Sequence, residues 1–113
     1  MKNLFLIIFS LIILTSFTDH TVVASYYGIE HHGKKMANGK PFNMYALTTA
    51  HKTLKFGTKL KVTNIKNDKS VNVVVTDRGP YIKGRELDLS QAAFSKIASI
   101  SSGHIKVKYE ILE

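Results

Sequence analysis

Between positions 59 and 77 the chain twice alternates apolar and polar residues. In Lys59 to Ile65, KLKVTNI, Leu60 and Val62 oppose Lys59 and Lys61, and in Val71 to Thr76 the residues Val71, Val73 and Val75 oppose Asn72, Val74 and Thr76. A period of two is that of a strand with one covered face, and β-branched residues favour it. The polar Lys66-Asn67-Asp68-Lys69 between them turns readily, so the two runs are predicted to pair as a hairpin.

The same reading extends to the rest of the chain. Thr21 to Tyr27, TVVASYY, is β-branched and aromatic and ends at Gly28, which predicts a first strand. From Gly28 to Asn43 the periodicity is lost in GIEHHGKKMANGKPFN, a long loop of the kind that carries function on a small rigid body. Met44 to His51 is a short apolar-to-polar run in which Leu47 and Ala50 are expected to be covered, and Leu54 to Thr58 reads as a turn with Phe56 folded inward. Leu89, Ala93 and Ile97 recur at intervals of four with Phe94 beside them, which predicts a short helix near residues 90–98. Ser90 or Asp88 is expected to cap it, and for Asp88 this capping role is preferred over catalysis. His104 to Leu112 alternates Ile105, Val107, Tyr109 and Ile111 with Lys106, Lys108 and Glu110, a final strand.

The first residues change the picture of the domain. Met1-Lys2-Asn3 precedes an apolar run from Leu4 to Leu14, the charged start and apolar centre of a secretory signal peptide. That segment is assigned to residues 1–18, with cleavage expected between about residues 16 and 20, and the folded domain to residues 21–113. The run is shorter than the roughly 20 residues a membrane span needs, so no stable membrane insertion is expected after its removal. No cysteine occurs in the chain, so neither a disulfide nor a lipid-bearing thiol is available, and the exported protein is not expected to be a lipoprotein. The formal charge of +8 favours anionic partners. For an exported domain these are cell-envelope glycans, not nucleic acid.

Candidate chemistry gathers at the end of the second valine run. Asp77 stands where that strand stops, and Gly79-Pro80 stiffens the turn that follows. Arg78 and Arg85, the chain's two arginines, both fall in this stretch, where a planar donor fork is useful. His31-His32 has no partner ligands at a familiar spacing, so it reads as a surface pair and no metal site is predicted.

ASYYG at Ala24 to Gly28, HGKKMANGKPFNMYALTTAH at His32 to His51, LKFGTKLKVTN at Leu54 to Asn64 and VVVTDRGPYIKGRELDLSQAA at Val73 to Ala93 together resemble the rare lipoprotein A family. The resemblance spans nearly the whole chain after the leader. It implies a mainly all-β fold, a six-stranded double-psi β-barrel with one short helix, shared with expansins and some endoglucanases. It also implies an exported lytic transglycosylase of the periplasm or cell envelope. Such an enzyme cleaves peptidoglycan strands stripped of stem peptides at MurNAc-GlcNAc bonds and leaves 1,6-anhydroMurNAc ends.

Carried over by motif, the catalytic acid falls on Asp77 and its partner on His51. Tyr27, Lys40, Asn43, Arg78, Arg85 and Asp88 are expected to bind substrate. A single carboxyl suffices for this chemistry, because it protonates the glycosidic oxygen and then takes a proton from the C6 hydroxyl. No cofactor is implied, and a monomer is expected. The chain departs from the family where active members commonly read Ser-Gly-Glu and then Phe-Asp, since it has Asn38-Gly39-Lys40 and Phe42-Asn43. Neither Lys40 nor Asn43 replaces the missing carboxyl groups. The alternative reading is therefore a peptidoglycan-binding or wall-loosening barrel with weak turnover or none.

Overall fold

In a computed structural model of the chain, which describes residues 21–112, six strands close into a barrel. The expected signal peptide lies outside the described residues. The strands are β1 (Val22–Tyr26), β2 (Thr48–Ala50), β3 (Lys59–Asn64), β4 (Ser70–Asp77), β5 (Arg85–Leu89) and β6 (His104–Leu112). Around the barrel they run β1-β5-β2-β4-β3-β6, and an α-helix, α1 (Gln91–Ile97), the one α-helix among the described residues, follows β5. The predicted hairpin is present, with Lys59 opposite Val74 and Val62 opposite Val71. β6 closes the barrel by pairing antiparallel with both β3 and β1. Two parallel pairs, β1 with β5 and β2 with β4, require the chain to cross over between them.

The alternating residues do what their period demands. Leu60, Val62, Val71, Val73 and Val75 fill the barrel together with Leu87, Leu89 and Val107. One side of α1 seals this core through Ala93, Phe94 and Ile97, none of which reaches solvent. The Tyr26 ring tilts against Phe94 with centroids 4.8 Å apart.

Three expectations are corrected. Leu89 lies in β5, so its spacing to Ala93 and Ile97 reflects a strand residue and two helical residues that meet in one core. Phe56 is 37% exposed, because the Arg78 guanidinium lies 4.0 Å over its ring and holds it at the surface as a cation-π partner. The helix cap belongs to Ser90 and not to Asp88, since Ser90 Oγ accepts the Ala93 N–H at 3.2 Å. Asp88 precedes the cap by two residues and is still strand.

Ser90 Oγ also donates to the Ala46 carbonyl at 2.5 Å, so one hydroxyl joins the helix start to the chain entering β2. Ser90→Ala is expected to lower stability by about 1–2 kcal/mol, the range for a lost cap with a partly buried carbonyl left behind. Urea denaturation of the two proteins reads this directly, and unchanged midpoints would contradict it.

Candidate active site

β2 is only three residues long and brings two acids to one level of the barrel. Its Ala50 pairs with Asp77 of β4 on one side and with Asp88 of β5 on the other. On the far side of β5, Asp88 pairs with Ser25 of β1. Two strand spacings separate the main chains of Asp77 and Asp88, about 10 Å, with the small Ala50 between them. Neither acid is fully exposed.

Three donors converge on Asp77. Its Oδ1 accepts the N–H groups of Ala37 and Arg78, each at 2.8 Å, and its Oδ2 accepts the Tyr27 hydroxyl at 2.5 Å. The Arg78 contact is local and follows from the turn, where Gly79 has φ +109° and leads into a cis bond to Pro80. Ala37 comes from the long loop after Gly28. That loop folds back as a narrow arm in which Gly33 and Lys34 exchange main-chain hydrogen bonds with Phe42. The arm is fastened to β4 where Asn38 N–H meets the Thr76 carbonyl at 3.3 Å. Its buried Phe42 packs edge-on against Tyr27, 4.8 Å between centroids, and the His31 ring also meets Tyr27, with centroids 5.3 Å apart. Burial, then the bond to Asp77, raises the Tyr27 pKa far above neutrality, so its hydroxyl keeps its proton and stays a donor.

Asp88 has different surroundings. Burial pushes its carboxyl up to about 6, opposed by a hydrogen bond from Ser25 Oγ at 3.2 Å and by the charges of His31 and Arg85. The negative charge of Asp77 pushes in the same direction as burial. Near neutrality this acid carries a proton part of the time, which suits proton transfer.

The His51 ring is not brought to the Asp77 carboxylate. Its Nδ1 accepts the N–H groups of Thr53 and Leu54, at 3.1 and 3.0 Å, and its Nε2 meets the Tyr109 hydroxyl at 3.1 Å. Tyr109 in turn donates to Glu86. The link between His51 and Asp77 runs through the main chain, where the His51 N–H donates to the Asp77 carbonyl at 3.1 Å. Arg78 is likewise used within the protein: its Nη1 donates to the carbonyls of His51 and Leu54 at 3.2 and 2.7 Å.

Lys40 is exposed on the arm, and its carbonyl accepts the Met36 N–H. Asn43 turns its Oδ1 onto the Tyr45 N–H, 2.9 Å away, so its side chain shapes the exit of the arm. Ser25 and Glu86 carry no site expectation from the sequence, Tyr109 is expected there only as a strand residue, and His31 only as half of a surface pair. Ser25 sits inside the ASYYG motif, which is the one signal that pointed to it.

An Nδ1 that accepts two N–H groups requires a neutral imidazole. Burial lowers the His51 pKa below its usual 6.5, and Arg78 and Lys52 add to this while Glu86 opposes it. Because the folded value is the lower one, the unfolded chain binds more protons as the pH falls through 6.5. This group's contribution to stability is thus complete above that pH and is lost as the pH falls towards the folded-state value. Melting temperatures measured downward from pH 7 should fall in an Asp88→Asn background, which removes the pH dependence of opposite sign that the raised Asp88 carboxyl contributes. A flat profile would contradict a neutral, buried His51.

A protein-family model described as lytic transglycolase matches residues 19–109. Over 90 residues the chain is 50% identical to the endolytic peptidoglycan transglycosylase RlpA of Campylobacter jejuni, covering 80% of this chain and 33% of that protein. It is also 50% identical over 91 residues to a probable endolytic peptidoglycan transglycosylase RlpA of Synechocystis, covering 80% of this chain and 28% of the relative. The chain therefore spans about a third of the length of these relatives. Among solved structures it resembles a Streptomyces papain inhibitor, with a TM-score of 0.69, 22% identity, and 86% and 96% of the two chains covered. A Clavibacter michiganensis expansin matches with a TM-score of 0.64 at 24% identity over 85% of this chain and 51% of the expansin. These two likenesses bear on the fold alone. The family match over most of the sequence, on a closed six-stranded barrel with its acids at one level, shows that the chain belongs to the lytic transglycolase family, with an RlpA-like double-psi β-barrel as its fold.

Proposed function

We propose that this chain is an exported lytic transglycosylase domain that cleaves peptidoglycan strands stripped of stem peptides at MurNAc-GlcNAc bonds, leaving 1,6-anhydroMurNAc ends. The observation that carries this reading is the level shared by Asp77, Ala50 and Asp88, roofed by Tyr27 and the arm. The printed names of the relatives support it.

The surroundings of the two acids divide the work that a single carboxyl could do. Asp88, which holds a proton part of the time, protonates the glycosidic oxygen as the bond from the muramyl C1 to that oxygen breaks. The C6 hydroxyl then bonds to C1, and its proton passes to Asp77, which Tyr27 and two main-chain N–H groups present as an acceptor. Solvent exchange returns the proton to Asp88, and no water is consumed in the bond exchange. His51 serves as a positioning residue, holding the end of β2 against the Asp77 carbonyl. Lys40 and Arg85 supply positive charge for the lactyl carboxylates, and exposed Tyr81, four residues beyond Asp77, offers a ring face to a sugar. The leader at residues 1–18, release into the envelope and a monomeric state belong to the same proposal.

Incubation with stripped sacculi followed by mass spectrometry of the soluble fraction tests it, with anhydro-ended fragments as the expected product. Binding to sacculi with no soluble product would support the wall-binding module instead. Neither binding nor product would refute both readings.

A further inference from the structure

The level that holds the two acids continues one strand beyond Ser25. On β6, His104 pairs with Ser25, so Asp77, Ala50, Asp88, Ser25 and His104 follow one another across five strands. Residues directly opposite in neighbouring strands present their side chains to the same face of a sheet. Beside His104 lies an open groove of about 630 Å³ between the start of β6, the end of α1 and the turn from β3 to β4. Lys66, Lys106 and His104 edge it, Ile65, Ala98 and Ile105 give it an apolar floor, and no carboxylate lines it.

The groove is built and not incidental. The side-chain amides of Asn64 and Asn67 both donate to the Ile97 carbonyl, at 2.8 and 3.0 Å, which fixes the turn against the helix end. The Ile65 N–H reaches the Lys106 carbonyl at 3.3 Å and ties that turn to β6. Ile65 itself remains 47% exposed, an apolar surface left open between two lysines. Apolar floor, amide and hydroxyl walls and an acid-free cationic edge match a sugar ring that carries a carboxylate.

We propose that this groove is a distal subsite for the glycan acted on at Asp77 and Asp88, and that it binds an acidic sugar through its carboxylate. β5 and β6 are two strand spacings apart, about 10 Å around the barrel wall, with the buried Ser25 between them, so a glycan that follows the wall from Asp88 reaches His104. The proposal rests on the glycan-cleaving reading, and its test separates the two.

The charge-reversed protein Lys66→Glu/Lys106→Glu is compared with the wild type on stripped glycan strands and on the same strands with their carboxylates reduced to alcohols. Both lysines are exposed, and Lys66→Arg/Lys106→Arg serves as the conservative control. On carboxylated strands the reversal should raise KM about tenfold with kcat within about twofold, because a distal subsite acts on binding and not on the chemical step. On reduced strands the two proteins should behave alike, and the arginine variant should match the wild type throughout. An unchanged KM on carboxylated strands, with the wild type active, would overturn the subsite and leave the cleavage reading standing. If the wild type releases no product, the cleavage reading falls, and equilibrium binding of the same two strands decides the groove. A preference for carboxylated strands that charge reversal abolishes upholds it, and equal binding overturns it.

Discussion

Asp77→Asn is expected to lower the release of anhydro-ended fragments by about 10²–10⁴-fold, the contribution of a well-placed proton-transfer group. The substitution keeps shape and most hydrogen bonds. An amide oxygen can still accept the N–H groups of Ala37 and Arg78, and the hydroxyl of Tyr27 can accept from the new NH₂ where it formerly donated. The barrel should therefore unfold cooperatively near the wild-type temperature, and binding to sacculi should persist, because the positive charge of the chain is untouched. Asp77→Ala is a harsher change that strands two N–H groups, each worth about 1–3 kcal/mol where water cannot replace the partner. Loss of product in both variants with folding preserved in the asparagine protein would place the effect on chemistry. Turnover by Asp77→Asn within a few-fold of wild type would remove Asp77 from the mechanism.

Much of the barrel was legible because its longest strands carry a period of two. The hairpin of β3 and β4 and the whole of β6 follow from which residues alternate, and Asp77 stands at a strand end because the valines stop there. β5 was hidden for a local reason. In RELDL the alternation of charged and apolar residues covers only Glu86 to Leu89, too short a run to stand out, and Leu89 continues a helical spacing into Ala93 and Ile97. The pairing that makes a site was not legible at all. Ser25 and Asp88 are 63 residues apart and meet only through the parallel register of β1 and β5. His51 reaches Tyr109 across 58 residues, on a strand that is not its neighbour in the sheet. Motif resemblance identified Asp77 and His51 as a pair, but the direction in which the imidazole turns depends on Thr53, Leu54 and Tyr109, and no spacing in the chain encodes that.

Asp88→Asn is expected to separate stability from activity. A carboxyl with a usual value of 3.8 that stands at about 6 in the folded protein is less stable when charged there than in the unfolded chain. The folded state then holds more protons between these values, so the group's contribution to stability is complete below 3.8 and is lost as the pH rises through about 6. At pH 7 the charged carboxyl weakens the fold by about 1–3 kcal/mol, the upper end following from the shift and the lower allowing for solvent screening at a partly exposed site. Asparagine removes that charge and keeps an oxygen for Ser25, so its melting temperature at pH 7 should rise by roughly 5–15 °C for a domain of this size. The gain should shrink as both proteins are taken from pH 6 to pH 4, because the wild-type carboxyl becomes neutral over that range. Product release should fall at least about 100-fold, since the amide has no proton to give to the glycosidic oxygen. In the wild type, release should decline above about pH 6 as Asp88 loses its proton. A protein that is more stable but retains full turnover would leave Asp88 as a buried charge without a part in proton transfer, and both steps would return to Asp77. A protein no more stable at pH 7 than at pH 4, relative to wild type, would show that burial does not hold the Asp88 proton.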